Sequence, residues 1–206
     1  VVTDRPEFAE ILRSLRTHGR ACKCESCVLN ITSGYCDKRF KYGKNRDIRF
    51  IFERIGFSSK MNELEAAIGL GNIKVYPQIL KKRRKNLLYM IDKFNEFKPY
   101  LYTIDEEPYE QIGPHAFPIL VAEGVKFSRD KLVYFLEKRG IDSRNLFSSM
   151  PTQCPGFEYL GYKLGEFPNA EYVGDNGLHI GIHQDIGKNE IVYVLDEIRD
   201  FLNKNA

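Results

Sequence analysis

The sequence contains no long hydrophobic run. No apolar stretch approaches the roughly 20 residues that a membrane-spanning helix needs, and the opening residues, VVTDRPEF, lack the basic and apolar regions of a signal peptide. The chain also has no internal repeats and no low-complexity segments. These absences argue against a membrane span and a secretory leader, and they predict a protein of the cytoplasm.

The chain carries little net charge. Its 31 basic and 28 acidic side chains give a formal charge of +3, with both signs mixed along the sequence. Nucleic-acid-binding domains usually have a clear basic excess, so this balance argues against such a partner. The 206 residues, 43% of them apolar, suffice for one good core or two small ones. The sequence lacks an initiator methionine and opens on what reads as the middle of a strand, which predicts a piece of a longer protein.

Four of the five cysteines lie in a long polar connection, residues 20 to 54. They are Cys22, Cys24, Cys27 and Cys36. Without a secretory signal these thiols are expected to stay reduced, so their proximity indicates a metal or redox site rather than disulfides. Their spacing matches no common zinc finger, because the ligand pairs of zinc fingers are usually further apart. Thiols in a loop without any ligand are the alternative.

The most informative stretch is residues 55 to 73. Asn62 can cap a helix and Glu65 can reach back to the Asn62 amide, which together form a capping box. The small residues of the next two turns are Ala66, Ala67, Gly69 and Gly71. Another backbone can approach such a surface closely. The pattern therefore predicts either a tightly packed core helix or a contact between subunits.

The remaining pattern predicts alternating helices and strands. Residues 1 to 3 read as a strand, Asp4 as the cap of a helix that Gly19 ends, and Tyr76-Pro77 as the break before a helix over residues 78 to 97. Further strands are predicted at residues 101–104, 116–121, 141–147 and 178–182. This order describes residues 1–75 as one part, a bridging helix over residues 76–98, and a small α+β domain over residues 99–206.

A resemblance to a known family extends along nearly the whole chain. Gly56-Phe-Ser-Ser-Lys-Met61 and the following Asn-Glu-Leu-Glu-Ala-Ala-Ile-Gly resemble the segment G-Y-N-Y-R-M-[ST]-[DE]-x-Q-A-A-x-G of the DegT/DnrJ/EryC1/StrS family of pyridoxal-phosphate-dependent sugar aminotransferases and dehydrases. Further matches, in the family's order, are Val2-Thr-Asp4, Arg83-Arg84, His115-Ala-Phe-Pro-Ile119, Gly140-Ile-Asp-Ser-Arg144, Pro155-Gly-Phe157, Gly161-Tyr162, Phe167-Pro-Asn-Ala170 and Ile180-Gly-Ile-His183.

The resemblance implies an α/β fold, that of the fold-type I pyridoxal-phosphate-dependent transferases. The chain would supply the C-terminal part of the large domain and a small α+β C-terminal domain of a homodimer. Ser58 and Lys60, which stand where the family has asparagine and arginine, would lie near the partner's cofactor phosphate. Arg144, His115 and His183 would lie near a nucleotide-sugar substrate. Taken singly, the arginine also fits a surface ion pair and each histidine a structural role.

A narrower resemblance concerns the cysteines. Gly19-Arg-Ala-Cys-Lys-Cys24, followed by Cys36-Asp-Lys-Arg-Phe40, is similar to the G-R-D-C-x-C...C-G-K-R-F segment of the iron-sulfur 3-dehydrases of 3,6-dideoxyhexose synthesis. It implies an iron-sulfur cluster, and the thiols by themselves also suit zinc. Those enzymes take a further thiolate from upstream and have their last two cysteines closer together.

The expected function is amino transfer from glutamate to a 4-keto-6-deoxy sugar nucleotide in polysaccharide or deoxyaminosugar biosynthesis. The first alternative is C3 dehydration with pyridoxamine phosphate, which the cysteines favour. A second is a non-catalytic binding or assembly domain stabilised by a metal. The resemblance places the cofactor lysine upstream of this chain. We therefore expect the chain to contribute no catalytic residue of its own and to be inactive alone.

Overall fold

The computed structural model describes residues 1–28, 36–42, 47–146 and 151–206. These residues form two compact units, Val1–Gly71 and Asn72–Ala206. Parts of the cysteine-rich connection, residues 29–35 and 43–46, lie outside the described residues. The same holds for residues 147–150, which contain the end of a predicted strand.

The first unit begins with helix α1, Pro6–Leu15. Two predictions for this segment are wrong. Residues 1 to 3 form no strand, because no described strand pairs with them, and Asp4 is not the cap, because the helix starts one residue later with Arg5 before it. Ser14 is fully buried and donates its hydroxyl to the Arg20 carbonyl at 2.7 Å. On the apolar side of α1, Phe8 and Ile11 are 44% and 39% exposed.

Helix α2, Glu63–Phe94, is continuous, and it contains the last residues of the first unit and the first residues of the second. The capping box is confirmed, since the Asn62 amide donates to Glu65 Oε2 at 3.0 Å and the Glu65 amide to Asn62 Oδ1 at 2.9 Å. The predicted break at Tyr76-Pro77 is wrong. A proline inside a helix costs about 3 kcal/mol, and burial of the last turns offsets that cost. Their buried side chains are Leu87, Met90, Ile91 and Phe94.

The second unit is built on a four-stranded antiparallel sheet. Its strands, in spatial order, are β1 (Leu101–Tyr102), β2 (Ala116–Val121), β4 (Gly177–Gly181) and β3 (Ser143–Asn145). In β2 every second residue is buried, because successive side chains of a strand point to opposite faces. One face of the sheet therefore enters the core, and the other carries its polar side chains.

Three helices complete the second unit. They are α3 (Arg129–Glu137), α4 (Pro168–Asn176) and α5 (Lys188–Asn205). Ser128 caps α3, because its side chain accepts the Lys131 amide. Short 3-10 helices span Ile48–Phe50, Asn95–Phe97, Pro151–Gln153 and Pro155–Leu160. The fully buried side chains of the core include Phe117, Ile119, Leu132, Leu136, Leu178 and Ile198.

Two strands are shorter than predicted. β1 ends at Tyr102, which pairs with Leu120. Further along β2 stands Pro118, which has no amide to donate, and its carbonyl instead accepts the Thr103 hydroxyl at 2.6 Å. β3 is confined to Ser143–Asn145 within the predicted range 141–147. In the part of the chain that the structure describes, no helix is long and apolar enough to cross a membrane.

Candidate functional site

The loop of residues 56 to 60, which carries the predicted cofactor residues, is held against the end of α1. The Phe57 amide donates to the Leu15 carbonyl at 2.7 Å, and the Ser59 amide donates to the Arg16 carbonyl at 3.0 Å. These hydrogen bonds fix the backbone on both sides of the residue between them. The loop is therefore a positioned element.

Two glycines allow the loop to come this close. Gly19 has φ of +78°, and a Cβ there would lie 1.8 Å from the Arg54 carbonyl oxygen. A Cβ on Gly56 would lie 2.1 Å from the Gly19 amide nitrogen. Both distances are below any real contact, so only glycine fits at either position. The sequence predicted that Gly19 ends the helix; α1 ends four residues earlier, at Leu15, and the structure adds this packing requirement.

Ser58 and Lys60 are both exposed on this fixed loop. Lys60 also lines a cavity of about 290 Å³, and the other basic side chains of that lining are Arg13, Arg16, Arg20 and Arg49. A hydroxyl can donate a hydrogen bond to a phosphate oxygen, and an ammonium group supplies charge. The residues present therefore fit the phosphate of a cofactor.

The four cysteines of the connection line a second cavity, of about 230 Å³. Burial raises the pKa of the Cys24 thiol, and a hydrogen bond with Cys22 and the neighbouring Cys36 raise it further. Across the described ranges, no group of three or more Cys, His, Asp or Glu side chains is arranged to hold a metal ion. The structure thus gives the predicted zinc or iron-sulfur site no support.

Two of the predicted substrate residues meet on one face of the sheet. Arg144 of β3 stands opposite His179 of β4, and His179 stands opposite Pro118 of β2. The ring of His115, just before β2, lies 6.3 Å from the His179 ring, measured between centroids. His179 is thus the residue between the two, and it is not among the residues predicted from the sequence. Its position opposite Arg144 depends on strand register, which no sequence motif gave.

The electrostatics of this face keep His179 neutral. Partial burial lowers the pKa of His179, and the neighbouring His115 and Arg144 lower it further, while Asp142 acts in the opposite direction. A neutral imidazole can donate from one nitrogen and accept at the other. The face therefore combines the permanent cation of Arg144 with a ring that can do both.

The third predicted substrate residue, His183, lies just after β4. Its Nδ1 is 3.3 Å from the Asp185 amide nitrogen and 3.2 Å from Asp185 Oδ2. When neutral, Nδ1 accepts the amide, and when protonated it donates to the carboxylate. Half of the His183 side chain is exposed, so the ring is open to a ligand.

The segments that carry His115 and His183 are both tied to α2. Arg83 donates to the His115 carbonyl at 3.3 Å and through Nε to Gln184 Oε1 at 2.9 Å. Asn86 donates to the His183 carbonyl at 2.9 Å. Arg83 was singled out in the sequence because it matches the family's arginine pair, whereas no sequence motif pointed to Asn86. One helix therefore positions both histidine-bearing segments.

The other arginine of that pair, Arg84, forms a two-pronged ion pair with Glu106, at 2.7 and 2.9 Å. It also donates to the Ile112 carbonyl at 2.9 Å. Glu106 in turn accepts the Ile112 amide at 2.6 Å. Arg84 thus holds the segment before β2 in place.

The family model of the DegT/DnrJ/EryC1/StrS aminotransferase family matches residues 1–199 of this chain. Two curated relatives represent the reactions found among its matches. The dTDP-4-dehydro-2,6-dideoxy-D-glucose 3-dehydratase of Saccharopolyspora spinosa is 30% identical over 212 aligned residues, which cover 100% of this chain and 45% of the relative. The dTDP-4-amino-4,6-dideoxy-D-glucose transaminase of Escherichia coli is 28% identical over 146 residues, which cover 68% of this chain and 38% of the relative.

Solved structures show the same similarity. One is a GDP-4-keto-6-deoxymannose-3-dehydratase with a trapped PLP-glutamate geminal diamine. It matches with a TM-score of 0.74 and 27% identity, over 95% of this chain and 49% of that one. The chain thus spans about half the length of the proteins it resembles.

Proposed function

Because this chain belongs to the DegT/DnrJ/EryC1/StrS aminotransferase family, we propose that it forms part of a pyridoxal-phosphate-dependent enzyme acting on a nucleotide-linked 4-keto-6-deoxy sugar. The match over residues 1–199 is the observation that carries the proposal. The fixed loop with Ser58 and Lys60 supports it, since its groups suit a cofactor phosphate. The sugar product would enter polysaccharide or deoxysugar biosynthesis.

The proposed reaction is removal of the C3 hydroxyl, with amino transfer from glutamate as the second candidate. From the sequence alone, amino transfer is the first expectation. The 3-dehydratase relative is 30% identical over 100% of the chain, whereas a transaminase of Campylobacter jejuni that aligns over 99% of the chain is 24% identical, and this supports dehydration. The proposed dehydration does not depend on metal binding by the cysteines.

Ser58 and Lys60 would serve the cofactor. When bound, pyridoxal phosphate or its amine form supplies a conjugated ring that withdraws electrons from the reacting sugar carbon. Ser58 would donate its hydroxyl to the cofactor phosphate of the partner subunit, and Lys60 would balance the phosphate charge. The loop backbone is fixed by the Phe57 and Ser59 amides, so little order is lost when the phosphate binds.

Arg144, His115 and His183 would serve the nucleotide sugar. Arg144 has no ion-pair partner among the described residues, so its guanidinium is available to an anionic or carbonyl oxygen. The two histidines would donate to sugar or phosphate oxygens from segments held by Arg83 and Asn86. The second unit would thus contribute binding groups, with the covalent chemistry performed elsewhere in the complete protein.

The homodimer is also a proposal. The first turns of α2 expose large apolar side chains, with Leu64 at 78%, Ile68 at 67% and Ile73 at 68%. A Cβ built on Gly69 or Gly71 meets nothing within 4 Å. A solvent-facing helix of this composition is unusual, and a second copy related by a two-fold axis would cover it.

The decisive test uses the full reading frame that contains this chain. The purified protein would be incubated with cofactor, glutamate and a dTDP- or GDP-linked 4-keto-6-deoxy sugar, and the sugar analysed by mass spectrometry. Loss of the C3 oxygen supports dehydration, and gain of an amino group supports amino transfer. An unchanged sugar with either nucleotide would overturn the proposal.

The cofactor role is tested by Ser58→Ala, with the neighbouring Ser59→Ala as the matched control. Loss of one hydrogen bond to a charged phosphate is expected to weaken cofactor affinity about tenfold or more. Ser59→Ala keeps the hydrogen bond from its backbone amide to the Arg16 carbonyl, so it should bind the cofactor as tightly as the parent does. Fluorescence titration of the cofactor measures both. Equal affinities of the two variants would remove Ser58 from the site.

A further inference from the structure

The cavity beside Lys60 concentrates positive charge in a chain whose overall charge is nearly balanced. Its lining carries five basic side chains, those of Arg13, Arg16, Arg20, Arg49 and Lys60, and one carboxylate, that of Glu25. The whole chain has a net charge of only +3. All of these residues belong to the first unit. Charge of one sign gathered in a cleft attracts an anion.

Most of this charge is not neutralised by the protein. Glu25 approaches Arg13 only to 3.7 Å, and its side chain is 84% exposed, so the pair is weak. Among the described residues, Arg16 and Lys60 form no ion pair. The Nε of Arg20 is buried without a hydrogen-bond partner in the same described set. A buried donor without a partner costs free energy that a ligand oxygen would recover.

Two of the guanidinium groups make further contacts. The Arg20 and Arg49 guanidinium carbons lie 5.7 and 5.6 Å from the centroid of the Phe50 ring. Asp47 also holds Arg49, with Oδ2 2.6 Å from Nη2, and neutralises its charge. Among the described residues, the unpaired cations of the lining are therefore Arg16, Arg20 and Lys60. A site whose donors are already positioned loses less freedom when an anion binds.

The thiols in the same lining do not cancel this charge. Cys22, Cys24 and Cys27 belong to the wall, and a thiol is neutral unless it loses its proton. The charged groups of the lining are therefore its basic side chains and Glu25.

We propose that this cavity binds a diphosphate, namely that of the nucleoside diphosphate carried by the sugar substrate, an assignment that rests on the proposed function. A diphosphate carries several negative charges and paired oxygens, which suit a set of forked guanidinium groups. The volume of about 290 Å³ is at the lower limit of small-molecule pockets, so it suits this charged group rather than an entire sugar nucleotide. The cofactor phosphate is the other source of the same chemistry.

Calorimetric titration of the 206-residue chain with inorganic pyrophosphate, dTDP, GDP and 4′-deoxypyridoxine 5′-phosphate tests the assignment. The last probe carries the cofactor's phosphate but no aldehyde. The proposal expects pyrophosphate and at least one nucleoside diphosphate to bind and to compete with each other. If 4′-deoxypyridoxine 5′-phosphate binds and displaces pyrophosphate while neither nucleotide does, the cavity belongs to the cofactor and the diphosphate assignment fails.

Variants locate the binding. Arg16→Gln and Arg20→Gln should each weaken pyrophosphate binding about tenfold, because each removes a charged donor. Arg5→Gln is the matched control, since Arg5 pairs with Glu7 outside the cavity, and it should bind within twofold of the parent. Arg20→Lys keeps the positive charge but loses the forked donors, so its affinity for pyrophosphate should lie between those of the parent and Arg20→Gln. It provides the test if Arg20→Gln does not fold. No pyrophosphate binding at millimolar concentration, or equal affinities in all variants, would overturn the proposal.

This experiment separates the two proposals. It measures binding of diphosphates without a sugar and without turnover. A chain that binds them through Arg16 and Arg20 would keep the anion site even if the complete protein left the keto-sugar unchanged. Conversely, if the complete enzyme is active but its affinity for diphosphates does not depend on these arginines, the proposed function stands and the proposed anion site is refuted.

Discussion

Gly19 shows at the scale of one residue what sequence can and cannot give. A glycine near the end of an amphipathic helix is a common stop signal. Helix α1 ends at Leu15, and both His18 and Gly19, which follow it, have a left-handed backbone. The sequence could not show that the backbones of Arg54 and Gly56, more than thirty positions away, leave no room for a Cβ on Gly19. That contact depends on how the chain returns to α1, and no local pattern encodes the return.

Replacing Gly19 by alanine should release the loop of residues 56 to 60. The new Cβ would lie 1.8 Å from the Arg54 carbonyl oxygen, and the left-handed backbone adds about 1–2 kcal/mol of strain. The Phe57 amide should then lose protection in hydrogen exchange. Gly124→Ala is the matched control, because Gly124 has φ of +77° but open space around it. Unchanged protection of Phe57 in Gly19→Ala would contradict this account.

Glu106 gives a prediction about pH. The hydrogen bond from Arg84, and then that from the Ile112 amide, lower the pKa of Glu106. A lowered pKa in the folded state means that the carboxylate contributes stability above its ordinary pKa and loses it as pH falls. The free energy of unfolding should therefore decrease as pH drops below about 4.3, the ordinary pKa of glutamate.

The comparison of Glu106→Gln with Glu107→Gln in urea at pH 7 and pH 3 isolates this contribution. Glu106→Gln should be less stable than the parent at pH 7 and should lose less stability between the two pH values. Glu107, which is exposed, should behave as the parent does. Parallel pH curves for all three proteins would show that the ion pair with Arg84 does not contribute to folding.

At the scale of elements, α2 separates local signals from tertiary ones. The capping box at Asn62 was predicted correctly because both partners lie within four residues. The break at Pro77 was predicted wrongly because the cost of a proline is local, whereas the burial that offsets it comes from the last turns and their partners. The predicted lengths of β1 and β3 were too long for the same reason, since the end of a strand depends on which residues of the neighbouring strand can pair with it.

A substitution on the exposed small-residue surface of α2 tests the proposed dimer. Gly71→Leu should give monomer on a sizing column and weaker cofactor binding, because a large side chain would keep a second copy from approaching. Leucine favours a helix over glycine by about 1 kcal/mol, so the helix itself should persist, which circular dichroism can verify. Lys82→Leu, on an exposed later turn, is the control. A stable Gly71→Leu dimer that keeps its cofactor would exclude this surface.

At the scale of the whole molecule, the chain covers about half of its relatives. Family and fold were predicted because many short motifs occur in the family's order, and that order along the chain is enough to recognise the family. The roles of the predicted site residues stay predictions. Arg144 and His115 lie on one face of the sheet, where strand register adds His179, and Asn86 holds the His183 segment through helix packing. Single-sequence patterns contain neither register nor packing.

The isolated chain should not fix pyridoxal phosphate at one lysine. A single stable adduct needs a cradle for the phosphate and an acid at the ring nitrogen together with the amine, and we expect no lysine of this chain to have all three. Lys60 is exposed on its loop, and Lys81, Lys82 and Lys85 lie exposed along α2.

Borohydride reduction followed by peptide mapping gives the measurement. We expect scattered labelling below one cofactor per chain and no discrete visible absorbance band. Stoichiometric labelling of one lysine, Lys60 above all because it lines the basic cavity, would mean that the reacting amine lies in this chain.

The bonds of Arg83 have a consequence for protein engineering. One guanidinium joins the carbonyl of His115 to the side chain of Gln184, so two loops 69 positions apart share a single anchor. A chimaera that takes one of these loops from another enzyme, in order to change which sugar is accepted, would inherit half of that anchor. Grafts in this family should therefore exchange the two loops and the α2 turn between them as one cassette.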